Sequence, residues 1–107
     1  MSTKVNERNM DWQRKVTKAL LKFCEDHEYP SLGLTEVREC LKELERGEIK
    51  TAVEFHRRVP LGRRMGYFDD WSPPVLFPHE TQEYLQVVFQ ALLNEWDRVM
   101  KLSFTEG

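Results

Sequence analysis

Residues 80–102, ETQEYLQVVFQALLNEWDRVMKL, decide the fold. Leu85, Val88, Phe89, Leu92, Trp96, Val99 and Met100 recur at the three- and four-residue spacing of one helical face. Tyr84, Val87 and Leu93 widen that face. A helix over this stretch would be about 33 Å long. Apolar character over so much of its girth predicts a central helix, with one helix on one side and two shorter ones on the other. Pro78 suits a position near its start.

Working back along the chain, three further helices are expected. The first spans about Met10–His27, with a stripe of Trp12, Val16, Ala19, Leu20 and Phe23. Asn9 or Asp11 could cap its start, and Tyr29-Pro30 ends it, because the residue before proline avoids the helical region. The second spans Thr35–Arg46, with Thr35 as N-cap, Glu36 at the positive end of the helix dipole, and Val37, Cys40, Leu41 and Leu44 inward. Gly47 is its expected stop, since glycine enters the left-handed region without steric cost. The third spans Glu48–Arg58, with Ile49, Ala52, Val53 and His56 on one face. The fold expectation is all-α: a small four-helix bundle.

Residues 60–79 carry no helical period. They hold four of the five prolines and two of the five glycines, yet they are rich in aromatic and apolar side chains. A loop this long in a compact domain is usually functional or disordered, and its composition argues against disorder. The expectation is an ordered loop whose Met65, Tyr67, Phe68, Trp71, Val75, Leu76 and Phe77 bury against the helices.

The chain has 107 residues, 40% hydrophobic and 32% charged, with a net charge of -2. That is the composition of one folded domain, 1–107, with expected tails at 1–8 and 103–107. No apolar run approaches a membrane span, and the first residues lack a signal-peptide pattern, so a cytoplasmic location is expected. In that compartment Cys24 and Cys40 read as reduced, buried small hydrophobes.

The motifs of chemistry are sparse. His27, His56 and His79 include no pair at helical zinc spacing, and there is no Cys-x-x-Cys, nucleophile elbow or phosphate loop. No metal, cofactor or catalytic residue is therefore expected. An enzyme would need His56, His79 and Asp69 or Asp70 to converge in one pocket. Arg57, Arg58, Arg63 and Arg64, near Tyr67 and Trp71, could form a phosphate-and-stacking patch, with Arg14, Lys18 and Lys22 as a second basic stripe. The acidic balance argues against nucleic acid as the main partner. Arg63, Arg64, Tyr67, Asp69, Asp70 and Trp71 are instead residue types that dominate protein interfaces. The apolar fourth helix also allows a homodimer.

Leu41-x-x-Leu44-x-x-Gly47, Met65-Gly66-x-Phe68-x-Asp70-Trp71 and Pro78-His79-Glu80-Thr81, with the long closing helix, resemble an uncharacterised family of short bacterial helical proteins. The resemblance covers Leu34–Ser103, about two-thirds of the chain. It departs at Arg64 and Asp69, where the family pattern has glycine and asparagine. Proteins of this type are similar to the immunity proteins encoded beside bacterial toxins. The resemblance implies a role in binding and blocking another protein, and carries over no site residues. The reading adopted here is a non-enzymatic inhibitor in which Asp69 and Asp70 would enter a basic site on the toxin, with Arg64, Tyr67 and Trp71 anchoring the interface around them.

Overall fold

A computed structural model describes residues 2–29, 34–59, 61 and 71–105, with side chains for 9–29, 34–59, 61 and 71–102. Arg63, Arg64, Tyr67, Asp69 and Asp70, expected to contact a partner, lie outside the described residues. So do Met65 and Phe68.

The protein is a small all-α four-helix bundle: α1 (Ser2–Asp26), α2 (Leu34–Glu45), α3 (Ile49–Arg58) and α4 (Gln82–Thr105). No strand occurs among the described residues. Helix α1 begins at Ser2 rather than near Met10, because no proline or glycine interrupts residues 2–9. Helix α4 likewise runs past Leu102 to Thr105. Thr35 falls within the first turn of α2 rather than capping it.

Packing differs from the expected arrangement. Helix α4 packs against α1 and α3, and α2 packs against the same two. Helices α2 and α4 thus lie across the bundle from one another, and α4 keeps an open face. On α4 the deep residues are Leu85, Phe89, Leu93, Trp96, Val99 and Met100, while Tyr84 and Val87 point outward. On α1 the buried face is rotated from the expected stripe. Gln13, Val16, Thr17, Leu20, Leu21 and Cys24 are inside, and Trp12 and Ala19 are exposed. The polar members can be buried because each is satisfied. Gln13 Nε2 donates to the Val99 carbonyl at 2.8 Å and the Thr17 hydroxyl donates to the Gln13 carbonyl at 2.7 Å. Trp12 instead lies at the rim and donates its indole N–H to Glu95 at 2.7 Å.

Two helix ends share one stop. Gly47 takes the left-handed conformation at φ 80°, with Gly47 N–H bonded to the Leu44 carbonyl and Glu48 N–H to the Glu43 carbonyl. Glu28, at φ 60°, closes α1 in the same way, with Tyr29 N–H on the Cys24 carbonyl at 2.8 Å. The chain turns there without glycine, two residues before the proline expected to end the helix. That turn leaves His27 at the end of α1, facing the start of α4.

Candidate functional site

The segment ahead of α4 is held at both ends. Trp71 is half-buried and meets Tyr29, Phe89 and Phe23 edge-on, with ring centroids 4.6, 5.1 and 6.4 Å away. Pro73 is buried, and its carbonyl accepts from Gln82 Nε2 at 2.9 Å. At the other end Thr81 caps α4 by accepting the Tyr84 N–H at 3.1 Å. Beside that cap Glu80 turns inward. Its Oε1 accepts the N–H groups of Leu76 and Phe77 at 3.0 and 3.1 Å, and its Oε2 sits 2.7 Å from His27 Nε2.

These anchors explain where the expected burial fails. Leu76 and Phe77 turn their N–H groups toward Glu80, while much of each side chain stays exposed. Val75, Leu76 and Phe77 are 49, 44 and 43% exposed rather than packed on the helices. On the adjoining turn of α4, Tyr84 and Val87 are 47 and 65% exposed. The His79 ring joins the two groups, stacking on Phe77 at 6.3 Å and meeting Tyr84 edge-on at 6.0 Å. The result is one apolar and aromatic ridge. Along α4 it continues through exposed Gln86, Ala91 and Asn94, with no charged side chain between Glu83 and Glu95.

The buried pair behind the ridge is His27 and Glu80, with side chains 6 and 4% exposed. Burial opposes the charged ring. The hydrogen bonds to Glu80 and to the Phe23 carbonyl, with the charges of Glu80 and Asp26, outweigh it, so His27 titrates above its ordinary value. Burial likewise opposes ionisation of Glu80, but the bonds from His27, Leu76 and Phe77 hold its carboxyl below the ordinary carboxylate value. No sequence pattern links residues 53 positions apart. The available signal was Glu80 directly before a helix cap.

A second buried histidine behaves oppositely. His56 Nε2 lies 2.7 Å from Asp97, whose other oxygen pairs with Lys101 at 2.8 Å. Burial pushes His56 below its ordinary value and outweighs the Asp97 bond, with Lys101 and Arg57 pushing the same way. The neutral ring therefore donates Nε2–H to Asp97, leaving Nδ1 as a buried acceptor with no hydrogen-bond partner among the described residues. That nitrogen is enclosed in the core, where the ring meets Trp96 edge-on at 4.8 Å. An oriented histidine whose free nitrogen cannot meet solvent has no route to a substrate. His56 and His79 do not converge either, since Asp97 and Tyr84, the α4 residues they face, are about 20 Å apart along the helix.

Arg57 and Arg58 are exposed at the end of α3, and the Arg58 guanidinium stacks 4.9 Å over Phe55. Among the described residues, no three His, Cys, Asp or Glu side chains are grouped to hold a metal ion, and no helix is long and apolar enough to cross a membrane. Cys24 and Cys40 are free and buried. Burial pushes both thiols up to about 12, with Glu25 adding to the effect at Cys24. A maleimide should therefore label neither cysteine in the native protein and both in denaturant. Rapid labelling of the folded chain would show that one thiol is accessible.

Fold and site together define a compact helical bundle with an exposed apolar ridge and no assembled catalytic centre among the described residues. Comparison with protein-family models, curated proteins and solved structures gives no match.

Proposed function

We propose that the protein acts by binding another protein through the ridge of Val75, Leu76, Phe77, Tyr84 and Val87. One observation carries this reading: five large apolar side chains, each at least 43% exposed, lie on the segment before α4 and on its first turns, and the segment is braced from behind by buried anchors. Interface cores are depleted of charge and enriched in aromatics, and a surface held in place beforehand loses less entropy on binding. The specific form put forward is an immunity-type inhibitor of a bacterial toxin. Its support is the family resemblance around Met65–Trp71. In that form Asp69 and Asp70 enter a basic site on the toxin.

The test is affinity capture by tagged protein from host lysate, at high salt and after nuclease. A single protein should be retained by the native chain and lost by a Leu76→Glu, Val87→Glu double variant of unchanged helicity. Two charges placed in an interface core should weaken binding about a hundredfold or more. Asp69→Lys with Asp70→Lys tests the toxin form separately and should also abolish capture. Equal capture by the ridge variant would sink the ridge as the interface. Capture of nucleic acid that disappears in salt would move the assignment to Arg57, Arg58, Arg63 and Arg64.

A further inference from the structure

The strongest unassigned feature is the contact that holds the segment before α4 onto the bundle. His27 Nδ1 lies 2.9 Å from the Phe23 carbonyl, and Nε2 lies 2.7 Å from a Glu80 oxygen. A peptide carbonyl can only accept, and so can an ionised carboxylate. A neutral imidazole has one N–H and cannot serve both. The ring also stacks on Phe23 at 4.3 Å and meets Phe77 edge-on at 5.7 Å, so it cannot turn away without disturbing that packing.

We infer that His27 is a buried imidazolium clasp that holds the segment carrying Val75, Leu76 and Phe77 while protonated and releases it when the proton is lost. The release follows from the geometry. On deprotonation one ring nitrogen turns a lone pair toward an oxygen less than 3 Å away, in a site with little access to water. The Phe23 carbonyl is fixed at the end of α1, where it also accepts the His27 backbone N–H at 3.1 Å, so relief comes from moving Glu80, which also bonds the N–H groups of Leu76 and Phe77. One proton thus controls three hydrogen bonds. The charged groups acting on the ring are Glu80 from the segment before α4 and Asp26 on α1, the latter paired with Lys22 at 3.0 Å. The clasp closes below the His27 titration and opens above it. It does not depend on the binding reading, although it acts on the same segment.

The experiment is NMR of the isolated full chain through the histidine range. The His27 ring nitrogens report protonation, and amide exchange of Leu76 and Phe77 reports the segment. Below 6.5, the ordinary histidine value, both His27 nitrogens should carry protons. As His27 then loses its proton, the protection factors of Leu76 and Phe77 should fall about tenfold or more, as expected for loss of a charge-assisted hydrogen bond. Glu80→Gln supplies the second arm. Its amide can donate to a neutral His27 Nε2 while its oxygen still accepts from Leu76 and Phe77. That variant should keep the protection and lose its pH dependence, which a purely structural Glu80 would not produce. A singly protonated His27 at low pH would overturn the clasp, as would protection that stays constant while the ring titrates.

Discussion

Trp96→Ala should leave the bundle barely folded. Trp96 is fully buried and heads the largest core side chains, with its indole against His56. Truncating a buried tryptophan costs about 3–5 kcal/mol through lost transfer energy and the cavity left behind. A domain of this size has only about 5–15 kcal/mol in total. The melting temperature should drop by about 15 °C or more, read by far-UV circular dichroism. Trp96→Phe separates packing from polarity. Among the described residues the buried indole N–H has only the weakly accepting Cys40 thiol to meet, so phenylalanine removes a poorly satisfied donor while keeping much of the volume. It should cost clearly less than alanine. Trp12→Ala is the contrast, because Trp12 is 46% exposed and its partner Glu95 sits at the surface. A loss there within about 1 kcal/mol is expected. Similar losses at Trp12 and Trp96 would mean that the helices do not meet around Trp96.

The four helices were legible because their apolar spacing and stops are local. Gly47 was read correctly as a stop, since a left-handed residue after a helix is nearly a glycine signature. Glu28 plays the same part with no such signature. The face of α1 was misread for a different reason. Periodicity counts apolar residues, and it passed over Gln13 and Thr17, which are buried because each finds a partner inside. Trp12 is on the expected inward stripe but lies exposed at the rim, where its N–H reaches Glu95. In the loop, Trp71 packs on the core as expected, and the departure is confined to residues 75–77, where apolar composition does not bring burial. Leu76 and Phe77 are fixed by backbone N–H bonds to Glu80, and nothing local in the sequence announces a bond to a carboxylate four and three residues later. The two buried histidine pairs were beyond reach for the same reason, since they join residues 41 and 53 positions apart.

Stability should pass through a maximum near pH 6.5, because the two buried histidines act on opposite sides of it. The sign follows from which state binds more protons. His56 titrates below its ordinary 6.5 when folded, so the unfolded chain holds the extra proton between the folded value and 6.5. Stability rises with pH through that window. Glu80 and Asp97 are held below their ordinary values, and Glu95 is drawn down to about 2 by its bonds to Arg98 and Trp12. Their contributions are present above the usual carboxylate range and are lost as the pH falls through their folded values. Everything on the acid side therefore slopes upward toward 6.5. His27 reverses the slope, because its folded value lies above 6.5 and the folded state holds the extra proton there. The contribution it makes is complete below 6.5 and is lost as the pH rises through the folded value. Buried Cys24 and Cys40 add a loss of the same sign only above the ordinary thiol value of 9.0. The window from 6.5 to 9.0 is thus where His27 alone, of these groups, tilts the curve. Urea unfolding at a series of pH values should show the fall in that window for the native chain, and His27→Gln should flatten it whatever its overall cost. His56→Gln should leave that fall intact and remove the rise just below 6.5. A native stability that kept climbing through the window, or a fall that survived His27→Gln, would show that the His27 proton is not what folding retains.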